Sequence, residues 1–450
     1  MSARTEPESA GRGVTVPIPE RWLLENGLTV LHLPIRNTSI VTTALCYRAG
    51  AAKEMPCVAG TAHFLEHLMF KGCAGYGPGA IDRETHRVGG WNNAFTSHDS
   101  TLYLFGFATD HWRLALAIEA SRMRSLDLRP AEVAKERSVV LEEIAMYEDD
   151  PWDSLELAVN ESFFGTCPYG RSILGTRESV RRIDEMTLRE FHSAHYGPEN
   201  AVLAVAGDVE RAAVEDAVDG HFRSIPRRQR EAAPPTGVGE QSIQHRRIDR
   251  RQGDTGRFLL AMGAPAADDP AYAPLDVALT VLAGGRASRL QRRLVEELRV
   301  CSRVSAGLSE MTSPASSSIS AEMMPDARPD VVERTVVEEI ERLRIEPPSG
   351  DEMSRARSML LADWVFGHQR IHQQAVSAAS AEALFDPAYP ATHLRRLEEC
   401  SPEQVVASVR AHLAPATDSV VGWSLPAAGR VGAKEPAGRV AVNECGIESS

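Results

Sequence analysis

The sequence predicts an α+β fold made of two tandem α/β domains. Strand-like and helix-like segments are mixed along the first half of the chain, and the second half repeats their order in a weaker form. A stretch rich in Arg, Gln, Pro and Gly separates the two halves. Such a mixture is typical of sheets that carry helices on one face. We expect a disordered lead-in at 1–19, a first domain at 20–226, a linker at 227–249, a second domain at 250–426 and a disordered tail at 427–450.

The first domain begins with strand patterns and continues with helices. Residues 29–33 and 41–47 combine apolar positions with β-branched and aromatic side chains, which favours strands. Residues 60–70 are largely apolar and contain no internal helix breaker, which favours a helix. The other predicted elements are a strand at 101–107, helices at 112–126 and 130–147, and a buried strand at 201–207.

The second domain shows a similar order of element types. The predicted elements are a strand at 258–262, helices at 272–282 and 288–298, a strand at 316–321, helices at 329–345, 351–366 and 402–413, and a strand at 419–423. This repetition indicates a diverged internal duplication.

Composition and charge exclude several classes of protein. Acidic residues outnumber basic residues by 62 to 49, and the net charge of −13 disfavours a nucleic-acid partner. The longest apolar stretches, such as 258–262, are far shorter than the roughly 20 residues that span a bilayer, so we expect no membrane segment. The seven cysteines are scattered without a C-x-x-C pair, and the first residues lack a secretory pattern. We therefore expect a cytoplasmic protein.

The most informative pattern is His-x-x-Glu-His, formed by His63, Glu66 and His67. Two histidines four residues apart lie on one face of a helix, where both imidazoles can bind one Zn²⁺. Glu66 lies beside them and can take a proton from water without binding the metal. The order is the reverse of His-Glu-x-x-His and is the inverzincin signature. Taken alone, the pattern also fits surface side chains of an amphipathic helix.

A second segment supplies candidate carboxylates. Glu136 and Glu143 are seven residues apart, about two helical turns, so both side chains point to the same side of a helix. Glu142 is the nearest alternative, but it lies about 100° around the helix. Together the two segments resemble the family of pitrilysin, insulysin and mitochondrial processing peptidase. The resemblance implies one Zn²⁺ per chain, bound by His63, His67 and Glu143, with Glu136 orienting a liganding histidine.

The stretch between these two segments resembles the same family. Residues 89–96 are Gly-Gly-Trp-Asn-Asn-Ala-Phe-Thr, similar to the family's Gly-Gly-x-x-Asn-Ala-x-Thr. The resemblance implies an edge strand that pairs with an extended peptide substrate, with Asn93, Ala94 and Thr96 as substrate-binding residues. An open strand edge has unpaired backbone N–H and C=O groups, so it can bind a peptide whatever its side chains. The alternative is an ordinary glycine-led hairpin.

The second domain departs from the family pattern. After Ala-Ser-Arg-Leu at 287–290, many active members carry an Arg and, seven residues later, a Tyr, which hold the substrate carbonyl and the oxyanion. In ungapped register these positions are Val295 and Ser302. The resemblance implies two tandem domains, each a mainly antiparallel sheet with helices packed on it, that form half of a clam-like chamber. It also implies a homodimer, or a heterodimer with a related subunit that supplies the Arg and Tyr.

We therefore expect a zinc-dependent endopeptidase that cleaves peptides or unfolded segments inside the chamber, with Glu66 as the general base. Two alternatives stay open. The chain is the zinc half of a heterodimeric processing peptidase that is inactive alone, or it is a non-catalytic assembly subunit of the same fold. The complete metal-binding pattern argues against the assembly subunit, and the missing Arg and Tyr favour it mildly.

Overall fold

The computed structural model describes residues 9–10, 14–228, 246–312 and 315–426. The predicted lead-in and linker therefore lie largely outside the described residues, and the predicted tail at 427–450 lies wholly outside them. One part of the linker prediction is wrong, because a strand begins at Arg246. This strand is the outermost of its sheet and its side chains are mostly exposed and basic, so its pattern does not differ from that of a linker.

The first domain contains a six-stranded sheet. Its strands are β3 (Glu20–Leu23), β4 (Thr29–Pro34), β5 (Ile40–Tyr47), β6 (Trp91–Thr96), β7 (Thr101–Ala108) and β8 (Ala201–Gly207), after a short antiparallel pair, β1 (Ser9–Ala10) and β2 (Val14–Thr15). The order across the sheet is β3-β4-β8-β5-β7-β6, and β4 with β8 is the one parallel pair in it. The sheet is therefore mainly antiparallel, as predicted.

Among the described residues, eight α-helices belong to the same half of the chain. They are α1 (Thr61–Leu68), α2 (Ala80–Arg87), α3 (Arg113–Arg124), α4 (Pro130–Asp149), α5 (Pro151–Phe164), α6 (Arg177–Arg182), α7 (Glu185–His195) and α8 (Arg211–Phe222). The three predicted helices correspond to α1, α3 and α4. The helical path is interrupted at Asp150, between α4 and α5. The Asp150 carboxylate accepts hydrogen bonds from the first free N–H groups of α5.

The second domain repeats the sheet topology of the first. Its strands are β9 (Arg246–Arg251), β10 (Arg257–Ala264), β11 (Cys301–Leu308), β12 (Ala315–Met323) and β13 (Ser419–Leu425). The order β11-β12-β10-β13-β9 matches β6-β7-β5-β8-β4, and β9 with β13 is again the parallel pair. The predicted duplication of the fold is confirmed.

Six α-helices and one π-helical segment complete the second half. The helices are α9 (Tyr272–Ala283), α10 (Pro329–Ile345), α11 (Gly350–Gly367), α12 (Ile371–Leu384), α13 (Tyr389–Glu399) and α14 (Pro402–His412). The predicted helix at 288–298 corresponds to a π-helix at Gln291–Glu297. The wider π turn keeps Leu290 and Leu294 fully buried before the chain turns at Arg299, which has a φ of 54°.

Each domain contributes one helix that packs on the sheet of the other domain. Helix α5 of the first half packs on the second sheet, where Leu155 and Val159 contact Gly422 of β13. Helix α12 of the second half packs on the first sheet, with Ala375 and Ala379 fully buried against it. Each sheet therefore has its own helices on one face and a helix from the other half on the opposite face. In the described residues, no helix is long and apolar enough to cross a bilayer.

Candidate metal centre

The predicted ligand helix α1 is fixed at its first turn by a buried carboxylate. Glu54 accepts hydrogen bonds from the N–H groups of Gly60, at 2.8 Å, and Ala62, at 2.6 Å. These N–H groups have no partner inside the helix, so the carboxyl oxygens of Glu54 satisfy them. Gly60 has a φ of 95°, and a Cβ there would lie 2.5 Å from the Leu174 carbonyl oxygen. Burial raises the pKa of Glu54 to about 8.

Helix α4 packs against α1 and brings Glu143 to both histidines. Glu143 Oε2 lies 3.6 Å from His63 Nε2 and 3.5 Å from His67 Nε2. One ligand atom from each of the three side chains lies within 4.8 Å of the others. A tetrahedral zinc site with bonds of about 2.0–2.2 Å separates its ligand atoms by about 3.4 Å. The three side chains therefore fit one zinc ion.

Glu136 lies behind the second histidine. Its Oε1 is 2.9 Å from His67 Nδ1, so the other ring nitrogen of His67 is left facing Glu143. Its Oε2 is 3.1 Å from Lys71 Nζ. Burial raises the pKa of Glu136, but the contacts with His67 and Lys71 outweigh burial and hold the pKa below its ordinary value. An ionised carboxylate in this place fixes the tautomer and orientation of the imidazole.

The electrostatics of Glu143 and His63 favour the forms that bind a metal, whereas His67 must lose a proton when a metal binds. Burial lowers the pKa of His67, but its hydrogen bonds to Glu136 and Glu143 outweigh burial and raise the pKa to about 9. Interaction with His67 lowers the pKa of Glu143, so the carboxylate is ionised at neutral pH. Burial and the neighbouring His67 lower the pKa of His63 to about 4, so its imidazole is neutral. Metal binding requires an ionised carboxylate and a neutral imidazole. The Nδ1 atom of His63 is buried and has no hydrogen-bond partner among the described residues.

Glu66 lies beside the ligands and outside their group. Its Oε2 accepts a hydrogen bond of 2.5 Å from the hydroxyl of Thr96 on β6. Burial raises the pKa of Glu66, and the Thr96 hydroxyl opposes that shift. Glu142, the alternative carboxylate on α4, is exposed and is not part of the ligand group.

The three candidate ligands line a cavity of about 660 Å³ between the two domains. Its walls come from β6, α4, α5 and the segment 169–174, with Glu310 and Met311 contributed by the second domain. A second cavity of about 480 Å³ shares five lining residues with it and continues along the serine-rich strands β11 and β12. The two neighbouring cavities together are large enough for several residues of an extended peptide.

Strand β6 borders this cavity and forms one edge of the first sheet. Its outer edge pairs with no other strand of the described residues. Ala94 and Thr96 line the metal cavity, but Asn93 lines a different cavity of about 710 Å³ beside α9 and α12. Because successive side chains of a strand point to opposite faces, the three predicted substrate-binding residues do not share one surface. The Asn93 side chain instead accepts a hydrogen bond of 2.9 Å from the Ala94 N–H.

The tip of the β6–β7 hairpin is tied to the second domain. Asp99 accepts hydrogen bonds from the Tyr169 hydroxyl, at 2.5 Å, and from the N–H and hydroxyl of Thr312, at 3.1 and 3.0 Å. Thr312 follows β11 in the second domain. This contact fixes the distance between the edge strand and the opposite wall of the cavity.

Val295 and Ser302, which stand where many family members carry an Arg and a Tyr, do not reach the metal cavity. Val295 packs against the core of the second domain, and the Ser302 hydroxyl donates to the Glu322 carbonyl at 3.3 Å. Neither residue lines the cavity that holds His63 and Glu143. Two residues of the site, Glu54 and Tyr147, were not predicted from the sequence. Glu54 has no motif that distinguishes it from a surface acid, and Tyr147, which lines the cavity, had a signal in its position one helical turn after Glu143.

Comparisons with known proteins identify the family. Residues 30–177 match the model of insulinase, peptidase family M16, and residues 182–360 match the model of the peptidase M16 inactive domain. An uncharacterized zinc protease of Mycobacterium leprae is 34% identical over 321 residues, which cover 70% of this chain and 71% of that protein. The chain belongs to peptidase family M16. The predicted family resemblance is confirmed.

Two further comparisons concern Helicobacter pylori. Zinc protease PqqE of that organism is 27% identical over 355 residues, covering 78% of the M16 chain described here and 80% of PqqE. The crystal structure of a protease from Helicobacter pylori superposes with a TM-score of 0.86 at 24% identity, covering 91% of this chain and 100% of that chain. The structural likeness shows that the M16 chain has the two-domain fold of these peptidases.

Proposed function

We propose that this M16 chain is a zinc-dependent endopeptidase that cleaves peptides or unfolded segments inside a chamber. The observation that carries the proposal is the convergence of His63, His67 and Glu143, with Glu66 beside them, on a cavity bordered by an open strand edge. The zinc-protease names of its relatives support the same reaction class. A cavity of this size admits an extended peptide and excludes folded domains.

His63, His67 and Glu143 are the residues that would hold the zinc ion. When bound, zinc lowers the pKa of water toward neutrality and polarises a carbonyl group. Glu66 takes the proton of the attacking water and delivers it to the leaving amine. Burial supports this role, because it raises the pKa of Glu66 and makes the carboxylate a stronger base. The backbone of β6 would align the substrate by strand addition.

The Glu66→Gln variant tests this mechanism. Glutamine has nearly the same shape but cannot accept the proton, so we expect turnover of a quenched-fluorescence peptide library to fall about 10³-fold or more while zinc stays bound. Glu142→Gln is the matched control, because it removes an exposed acid one position from Glu143 and should leave turnover unchanged. A Glu66→Gln variant that retains its turnover number would contradict the role of Glu66.

A second candidate is the zinc half of a heterodimeric processing peptidase. It is favoured by the absence of an Arg and Tyr at Val295 and Ser302, neither of which lines the metal cavity. The cavity would then be completed by a related subunit. Activity that appears only when the purified chain is mixed with the product of a neighbouring gene for a related subunit would establish this arrangement. A non-catalytic assembly role is the third possibility, and the complete ligand set argues against it. A cytoplasmic location stays a prediction.

A further inference from the structure

The hydrogen bond between Thr96 and Glu66 joins two separately anchored elements. Glu66 lies on α1, whose first turn is held by Glu54. Thr96 ends strand β6, and it pairs with Thr101 of β7, whose hydroxyl donates to the Ala49 carbonyl at 2.9 Å. Because both backbones are fixed, the contact between the two side chains is set by the fold.

The bond also decides the orientation of a flexible side chain. Glutamate has three rotatable side-chain bonds and loses conformational freedom when it is held in one rotamer. Threonine is β-branched and stiff, so its hydroxyl has few available directions. Among the described residues, the Thr96 hydroxyl is the one hydrogen-bond donor to the Glu66 carboxylate. Loss of this donor would leave the carboxylate free to rotate.

We propose that Thr96 is a positioning residue that holds Oε2 of Glu66 and thereby reserves Oε1 for proton transfer. This inference rests on the proposed function. The hydroxyl proton of Thr96 faces Oε2, so a proton taken from water is added to Oε1. Oε1–H then donates that proton to the leaving amine nitrogen, and the carboxylate returns to its ionised form. Oε2 accepts from Thr96 throughout, since the carbonyl oxygen of a neutral carboxyl group is also an acceptor.

The proposal differs from the substrate-binding role that the family resemblance implies for Thr96. A residue that only pairs with substrate through its backbone can lose its hydroxyl without effect on catalysis. Valine has the same shape as threonine, suits a strand and lacks the hydroxyl, whereas serine keeps the hydroxyl. The two substitutions therefore separate the hydrogen bond from the backbone contact.

The kinetic test compares Thr96→Val and Thr96→Ser with the unmodified chain on one cleavable peptide. We expect Thr96→Val to lower kcat about 10- to 100-fold with little change in KM or zinc content. Thr96→Ser should restore kcat to within about threefold, since the hydrogen bond is kept. An unchanged kcat in Thr96→Val, or an equal loss in both variants, would overturn the proposal.

A structural test does not depend on activity. Crystal structures of the unmodified chain and both variants would show whether Glu66 keeps its carboxylate position. We expect the position to be the same in the unmodified chain and Thr96→Ser, and displaced or disordered in Thr96→Val. An unmoved carboxylate in Thr96→Val overturns the positioning role. If the unmodified chain cleaves nothing while the carboxylate moves in Thr96→Val, the proposed function fails and the positioning of Glu66 stands.

Discussion

Each domain contains a pair of packed helices at the same place in its fold. The two pairs differ in the side chains that they carry. Helix α1 follows β5 as α9 follows β10. Five helices separate β7 from β8, and five separate β12 from β13, so α4, the second of its series, corresponds to α11. The first pair, α1 and α4, carries His63, His67 and Glu143. The second pair, α9 and α11, packs together in a similar way and carries no histidine on α9.

The second pair of helices borders the cavity of about 710 Å³, which is the counterpart of the metal cavity. Its acidic side chains are Asp276 on α9 and Glu310. Burial, together with the nearby Asp363 on α11 and Glu310, raises the pKa of Asp276 to about 7. His393 Nε2 is 4.0 Å from Asp276 Oδ2, and burial lowers the pKa of His393 to about 4. Within the described residues, the group of His63, His67 and Glu143 is the one that brings three metal-binding side chains together.

Little of the structure separates the candidate metal centre from an ordinary packed pair of helices. Sheet order, the parallel strand pair and the crossing helices are repeated in both domains. The difference lies in a few side chains on the facing surfaces of two helices, which is where function is added to a fold.

Zinc affinity should depend on Glu136, which contacts the ligand His67, as well as on the pair of helices that carries the ligands. Glu136→Gln keeps the shape of the side chain but removes the charge that faces His67 and Lys71. We expect zinc affinity, measured by competition with a chelator, to fall about 10- to 100-fold. Glu142→Gln on the same helix is the control and should bind zinc normally. Equal affinities in the two variants would mean that the helix pair alone positions the ligands.

The stability of the protein should depend on the close packing of α5 against the sheet of the opposite domain. A Cβ at Gly422 of β13 would lie 2.4 Å from Val159 Cγ2 and 2.9 Å from Leu155 Cδ1 on α5. Gly422→Ala should therefore lower the free energy of unfolding by about 1–3 kcal/mol, measured by chemical denaturation. Gly263→Ala in β10 of the same sheet is the control, because a Cβ there meets no atom within 4 Å. No difference between the two variants would show that α5 does not pack tightly on the second sheet.

The two domains should share a sensitivity to acid. Burial lowers the pKa of His192 to about 4, and His192 Nε2 bonds the Arg122 carbonyl at 2.9 Å. The unfolded chain binds the proton near pH 6.5, so the stability contributed above that pH is lost as the pH falls from 6.5 through 4. Between pH 6 and 5 the loss is about 1 kcal/mol. We expect both His192→Gln and His393→Gln to reduce this pH dependence, measured by denaturation at each pH.

If the pH dependence of stability is unchanged in both variants, the lowered pKa of His192 and of His393 is contradicted. A change in His192→Gln alone would show that the second domain does not share this property. The two outcomes distinguish the first domain from its counterpart without any reference to zinc.

Much of the fold and most of the candidate site could be predicted from local sequence. Helical period places His63, Glu66 and His67 close together on α1, and it places Glu136 and Glu143 on one side of α4. The choice of Glu143 as the third ligand came from the family resemblance. The strands at 29–33, 41–47 and 201–207 were found because they are apolar and bounded by turn residues.

The remaining features depend on long-range contacts. Helices α5 and α12 pack on the sheet of the opposite domain, and no local pattern indicates which sheet a helix will cover. The π-helix at Gln291–Glu297 has the period of an ordinary helix in sequence. Thr96 was assigned to substrate binding because the family motif contains it, whereas its bond to Glu66 arises only where β6 meets α1. Glu54 likewise reaches α1 through the tertiary fold.

The most direct test of the difference between the two helix pairs is the metal content of the purified chain. We would measure zinc by mass spectrometry in the unmodified chain, in Glu143→Gln and in Asp276→Asn of the counterpart cavity. We predict about one zinc per chain in the unmodified protein and in Asp276→Asn, and loss of zinc in Glu143→Gln. An unmodified chain that binds no zinc even when zinc is supplied would contradict the metal centre and favour a non-catalytic subunit.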